Sequence, residues 1–458
     1  MRKIVALPTL FFIGLTQAGA LDKNEARSIF KEMIEHNTVI HNGTAALVTA
    51  IDKRLRGAGF GDTEIQRGGV DEKHQNIVFR LKGKGKQAPI LFIAHLDVVE
   101  ALASDWSMDP FSFIEKDGYF YGRGTSDVKD EGSNLIYNMM RLKREGFVPS
   151  RDIIVALTDA EEVGEEFNGI NWLLNTHPDW IKAEYVLNLD GGGGEIKNGV
   201  RRALDVQTSE KTYRVYEITA SDKGGHSSLP TRENAIHRLA RGLAKLDAYE
   251  FPIRLNETTR AYFTQMASLS EGADRDAMLA FSKNERDANA IKQLTANTYY
   301  NALLRTTCVP TLISGGHSEN ALPQKATVTI QCRLLPDDST DAVRQMLADI
   351  VADPALDVKQ VGTNRPSPAS PLRDDVMSAI KDTAKKHFPG AVILPVMTTG
   401  ASDGTFLRAA GIPVYGVSAE FEDVDDGRAH GRDERLPVNS YYDAIAYTYD
   451  LIKRLSRD

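Results

Sequence analysis

Two cysteines, Cys308 and Cys332, are all that 458 residues contain, so at most one disulfide can form within the chain. Positive charge is in deficit: 55 Lys and Arg stand against 63 Asp and Glu, a formal net charge of −8. A phosphate-binding surface needs a basic face, so nucleic acid is excluded as the expected partner. After the first twenty residues no apolar run reaches the roughly 20 residues of a membrane span. Internal repeats and long low-complexity tracts are absent. The four glycines after Asp190 do not complete a dinucleotide-binding G-x-G-x-x-G, because residue 196 is Ile, and GKGK at 83–86 is a basic turn rather than a phosphate loop. What remains is 42% hydrophobic and 26% charged, an ordinary globular composition long enough for two or three domains.

The first twenty residues read differently from the rest. Arg2 and Lys3 precede the apolar core IVALPTLFFIGL, and Ala18-Gly19-Ala20 is a small-residue cleavage pattern. This is expected to be a signal peptide over 1–20, with the mature chain starting at Leu21 and exported to a periplasm or the outside of the cell. The core is too short for a retained anchor. Export favours pairing of Cys308, in TTCVPTLIS, with Cys332, in ATVTIQCRLL, if the two strand-like segments form a hairpin. Two buried thiols are the alternative.

From about 75 to 190, apolar strands alternate with helical patterns, and the pattern resumes after 371. Strands between helices imply an α/β domain with a mostly parallel sheet covered on both faces. The middle differs: KTYRVYEITASD alternates like an antiparallel strand, and TNRPSPASP reads as a linker. The expected organisation is a catalytic domain at 21–207 and 365–458, split by an inserted α+β lid domain at 208–364.

Ligands of open α/β sheets sit at the carboxyl ends of the strands. PILFIAHLDVV ends in His95 and Asp97, GRGTSDVKDEG holds Asp127, DIIVALT runs into DAEEVGEE, AEYVLNLD ends in Asp190, and RAHGRDE supplies His430. Two imidazoles with several carboxylates suit zinc or a neighbouring first-row metal, and enough ligands are present for two ions. His95 and Asp97 are two apart on a strand and share a face, so Asp97 is expected to orient the His95 ring. In DAEEVGEE, consecutive side chains diverge, so Glu161 and Glu162 are expected to divide the work: one ligates, the other acts as general base. Asp159 stays open, and Glu165 with Glu166 are expected to begin the next helix.

HLDVV, GRGTSDVKD, DAEEVG, NLDGG, GGHSSLP, ENALPQ and RAHGRDE together resemble the successive motifs of one metallohydrolase family. It includes glutamate carboxypeptidase, carboxypeptidase S, acetylornithine deacetylase, succinyl-diaminopimelate desuccinylase, aminoacylase and several dipeptidases. The resemblance covers nearly the whole mature chain. It implies a dizinc catalytic domain, with cobalt or manganese able to substitute, and an inserted ferredoxin-like lid that also serves dimerisation. Asp127 would bridge the metals, His95 and Asp190 would complete one site, and Glu162 and His430 the other. Glu161 would be the base. A cis peptide is implied at Asp127–Val128. His226 of the lid would stabilise the oxyanion, often in the partner subunit's site, while Asn320 and Arg333 would contact the substrate's carbonyl and carboxylate. Gly400, in GASDG, belongs to a substrate-binding loop. Succinyl-diaminopimelate desuccinylases carry Thr where Ala401 stands, which counts against that particular activity. The expected substrate is a small peptide or an N-acyl amino acid.

Two other readings compete. GASDG fits the G-x-S-x-G elbow of serine hydrolases, with Ser402 as nucleophile and Asp423 and His430 downstream, though only 56 residues follow Ser402. A secreted, non-catalytic binding protein would also be a two-domain α/β chain, but it has no need of a base beside a ligand.

Overall fold

The computed structural model describes residues 20–457 apart from 165 and 364. The expected signal peptide therefore lies outside the described residues, except for Ala20. Among the described residues no helix is long and apolar enough to cross a membrane.

An eight-stranded sheet forms the larger layer, in the order Ile65–Gly69, Gln75–Leu81, Ile153–Thr158, Ile90–His95, Tyr185–Lys197, Val414–Asp423, Val200–Glu210, Val392–Thr398. Its centre is parallel: Ile90–His95 pairs in parallel with both Ile153–Thr158 and Tyr185–Lys197, and Val414–Asp423 joins the far side of the latter in parallel. Ile90–His95 and Ile153–Thr158 are buried throughout, as strands covered on both faces must be. One face packs on the helices Lys23–Glu35, Ala45–Gly57, Lys129–Arg144, Asp374–His387 and Val438–Leu455, through Phe30, Leu135, Ile380 and Tyr441. The other face packs on Gly169–Thr176 and Gly404–Ala409, through Ile170, Leu173 and Leu407. The helix after the acidic cluster starts at Gly169, with the Asn168 side chain accepting from Asn171 N–H. Glu166 is thus an exposed turn residue rather than part of a first helical turn, and Glu165 lies outside the described residues.

The second layer is a four-stranded antiparallel sheet ordered Thr307–Gly315, Lys325–Leu334, Thr212–Ser221, Leu356–Val361. Helices Ala235–Asp247 and Thr340–Val351 cover it through Leu239 and Leu347, which pack on Tyr216, Ile218, Val328 and Ile330. Chain order and strand order together are ferredoxin-like, as expected of the lid. Between its first helix and second strand, four helices from Glu257 to Leu304 leave this layer. Phe263, Met278, Phe281 and Leu303 pack on Leu394, Val396 and Met397, the edge strand of the large sheet.

Cys308 and Cys332 are directly opposite in the lid ladder and form a disulfide. It closes a separation of 24 residues. The double variant Cys308→Ala/Cys332→Ala is expected to lose about 3 kcal/mol by chain-entropy reasoning. Urea unfolding reads this directly; an unmoved midpoint would mean that the ladder alone fixes these strands.

Candidate metal centre and substrate cavity

Five segments bring the titratable groups together: the ends of strands Ile90–His95 and Ile153–Thr158, the turn before helix Lys129–Arg144, the segment after Val414–Asp423, and the middle of strand Tyr185–Lys197, which runs on past Asp190 rather than ending there. Strand Ile90–His95 ends in His95, which is buried. Its Nε2 lies 3.2 Å from Asp127 Oδ1 and 3.8 Å from Asp190 Oδ1. On the other side, His430 Nε2 lies 3.0 Å from Asp127 Oδ2 and 2.9 Å from Glu162 Oε1. Asp127 thus stands between the two imidazoles, one carboxylate oxygen facing each. The peptide after it, Asp127–Val128, is cis. Ligating atoms gather in three overlapping groups: His95, Asp127 and Asp190; Asp127, Glu162 and His430; His95, Glu161 and Glu162.

The acidic loop is built to present its carboxylates. Ala160 takes a positive φ of 61° straight after the strand and turns the chain. The backbone N–H groups of Glu161 and Glu162 then donate to Asp97, to Oδ1 and Oδ2 respectively, each at 3.1 Å. The His95 ring places Nδ1 3.0 Å from the Asp97 carbonyl oxygen and 3.5 Å from its carboxylate. Asp97 therefore reaches the ring mainly through its backbone, while its side chain carries the loop. Asp159 points away from the cluster, and its Oδ2 pairs with the buried His74 at 2.8 Å.

Charge is poorly balanced here. Burial, then Asp190, pushes the Glu161 carboxyl well above its usual range, and burial with Asp127 and Asp403 does the same to Asp190. Burial also raises Glu162. Asp127 raises His430 to about 9, reinforced by Glu162. Burial opposes a charge on His95, but the bonds to Asp127 and Asp97 overcome it and hold its pKa well above the imidazole value. Four carboxylates share this space with two imidazoles, so divalent cations would supply the missing positive charge. The mixed imidazole and carboxylate donor set fits such ions.

Beside the cluster lies a cavity of about 640 Å³. Glu161 and Glu162 line one part, and Arg333 and Tyr213 another. Arg333 follows Cys332 on the lid strand, and its guanidinium lies 4.9 Å from the centre of the Tyr213 ring. Ala401, Ser402 and Phe406 complete one wall, whereas Gly400 is exposed beside it. His226 pairs with Ala321 on a short ladder, Asn320 precedes that strand with its carbonyl oxygen accepting from Ser227 N–H at 3.0 Å, and both His226 and Asn320 are exposed. Neither is among the side chains lining that cavity.

The serine-elbow reading fails on contacts. Ser402 is buried and donates to Glu210 Oε2 at 3.0 Å, while His430 faces Asp127 and Glu162. Glu210 also accepts from Ser367 and Thr405 and pairs with Arg408, so Ser402 belongs to a buried polar knot.

Two supporting residues escaped the motif reading. Glu434, four residues after His430, is buried and accepts from Ser126 N–H at 2.8 Å, Gly124 N–H at 3.1 Å and Arg123 Nη1 at 2.6 Å. It ties the His430 loop to the Asp127 loop. Asp403 accepts from Asn168 at 2.6 Å and Thr158 at 2.9 Å, joining GASDG to the end of the strand that carries the acidic loop. Both sit inside quoted motifs, RAHGRDE and GASDG, where an acid without an assigned role was the available signal.

A mostly parallel sheet whose strand ends gather two histidines and four carboxylates, beside a ferredoxin-like lid, defines a two-domain α/β protein with a candidate dinuclear metal centre. Residues 91–454 match peptidase family M20/M25/M40, and the chain belongs to that family. It is 27% identical over 405 residues to the human N-fatty-acyl-amino acid synthase/hydrolase PM20D1, covering 85% of this chain and 78% of that one. It is 28% identical over 397 residues to a probable carboxypeptidase S-like 2 of Dictyostelium discoideum, covering 83% and 75%. Its fold matches the M20 family metallo-carboxypeptidase Sso-CP2 of Sulfolobus solfataricus with a TM-score of 0.67, at 18% identity, over 94% of this chain and 99% of that one. The chain is a hydrolase of the peptidase and amidohydrolase kind, which removes the binding-protein alternative.

Proposed function

We propose that this hydrolase is an exported, zinc-dependent enzyme that cleaves the amide bond of a small peptide or an N-acyl amino acid whose product end carries a free carboxylate. The observation that carries the reading is the shared cavity: Arg333 opens onto the same space as Glu161 and Glu162. A guanidinium can hold a carboxylate by two parallel bonds, which orients the substrate along the cavity. Asp127, His95 and Asp190 would hold one ion, and Asp127, Glu162 and His430 the other; cobalt or manganese suits the same donors. The ions supply Lewis-acid chemistry, lowering the pKa of water and polarising a carbonyl.

The remaining steps belong to the chain. Glu161 takes the proton from the attacking water and returns it to the leaving amine. Asp97 keeps both glutamates of the loop in place. His226 steadies the developing oxyanion and Asn320 contacts the carbonyl. Because both are exposed in one chain, they are assigned to a site formed on lid movement or with a partner subunit. A homodimer through the lid is supported by its edge strand, where Val309, Leu312 and Ile313 are 51%, 69% and 69% exposed. Export is supported by the Cys308–Cys332 disulfide and by the leader-like N-terminal sequence.

A screen of dipeptides and N-acyl amino acids with zinc-loaded protein tests the reading. Arg333→Ala is expected to raise KM about 10-fold or more for substrates with a free carboxylate, consistent with loss of a charge-assisted contact worth about 1.5–3 kcal/mol. Esters or amides of the same carboxylate should respond far less. Equal effects on both sets would remove Arg333 from carboxylate binding.

A further inference from the structure

A second cavity, of about 310 Å³, shares Asp127 and Asp190 with the candidate centre. Asp130, Glu131, Glu420 and Glu422 also line it. Glu195 and Asp205 complete the acids, and no Lys, Arg or His lines it among the described residues. Of these eight acids, only Asp127 and Asp190 belong to the paired centre.

The acids of this cavity differ in how they are satisfied. Glu131 accepts from Ser418 Oγ at 2.7 Å and Asn134 Nδ2 at 2.6 Å. Glu195 pairs with Arg202 at 2.6 Å. Asp130 is 0% exposed, and no N–H or hydroxyl donor reaches its carboxylate oxygens; the group that meets it is the Glu420 carboxyl. Glu420 is 6% exposed, and its Oε1 likewise has no such donor. A buried, unpartnered carboxylate costs several kcal/mol unless something positive meets it.

We propose that this cavity, adjoining the paired centre, is a third cation site that takes one hard divalent cation of the calcium class on Asp130 and Glu420. The donors at hand are oxygens only, carboxylate and hydroxyl, with no imidazole or thiolate, which selects hard cations over zinc. The volume exceeds that of a bare ion and leaves room for the waters that complete an irregular calcium shell. The site is independent of which amide the enzyme cleaves. The competing arrangement is a single proton shared between Asp130 and Glu420, which needs no ion.

The test is equilibrium dialysis of full-length, zinc-loaded protein against calcium alone, with elemental analysis and thermal unfolding. About one calcium per chain beyond two zinc is expected, with Tm raised by roughly 5 °C at saturation. Asp130→Asn and Glu420→Gln should each weaken calcium binding at least 10-fold and abolish the Tm response while two zinc remain. Wild-type protein that holds two zinc, binds no calcium and shows no Tm shift would overturn the site in favour of the shared proton. So would a third equivalent of zinc in place of calcium, or variants that bind calcium like wild type. Should the variants fail to fold, the wild-type stoichiometry alone decides.

Discussion

Glu161→Gln is expected to lower kcat by about 10³-fold while leaving the metal content of the protein unchanged. The magnitude is that of a general base whose proton-accepting oxygen is lost. Glutamine keeps the shape of the side chain, and the loop is held by its backbone: Asp97 accepts the N–H groups of residues 161 and 162 whatever the side chain at 161. Asp127, Asp190, Glu162 and His430 are untouched. KM should therefore change little, and elemental analysis should find the wild-type metal count. Loss of one metal would show that Glu161 is the ligand and Glu162 the base. That exchange of roles is a real alternative, because His95, Glu161 and Glu162 also place ligating atoms within 4.8 Å of one another.

Asp127→Ala is expected to empty both metal positions at once. Asp127 is the residue common to the two groups that contain the two outer ligands, Asp190 and His430. Removing it leaves His95 beside Asp190 on one side and His430 beside Glu162 on the other. Loss of even an indirect partner of a metal ligand weakens affinity about 10–100-fold, so loss of the shared ligand should exceed about 100-fold at each position. Activity should disappear with the metal. Asp127→Asn keeps one neutral oxygen and should be milder. An Asp127→Ala protein that retains two ions would show that Asp127 does not bridge.

The large sheet and the lid were legible in the sequence because their signals are periodic. Buried runs such as PILFIAH and DIIVALT, between helical patterns, can only be covered strands, and KTYRVYEITASD alternates as a half-exposed strand does. The cross-strand position of Cys308 and Cys332 followed from two strand-like segments. The helices from Glu257 to Leu304 were not placed: their amphipathic faces show that they pack, but not that they return to Val392–Thr398. The candidate site was legible where motifs end strands. His95, Glu161 and Glu162 come together because their strands end side by side in one sheet, and Asp127, Asp190 and His430 reach them from a turn, from within a neighbouring strand and from a later loop. What could not be read was how the loops are held. Asp97 was expected to serve the ring of His95, and its carboxylate lies 3.5 Å from that ring, but the same carboxylate also receives the loop that follows another strand, 64 residues away. Glu434 and Asp403 likewise act across long separations, on loops that no local pattern joins. His226 and Asn320 show the opposite limit: their motifs are clear, yet in a single chain both face solvent.

Amide hydrolysis by this chain is expected to require two metal ions at these residues. The most direct test is to strip the protein with a chelator and titrate zinc back while following cleavage of an N-acyl amino acid that the screen has identified. The stripped protein is expected to show no turnover, with activity rising to a plateau at two equivalents per chain. Turnover that survives with metal well below one equivalent per chain would contradict that requirement.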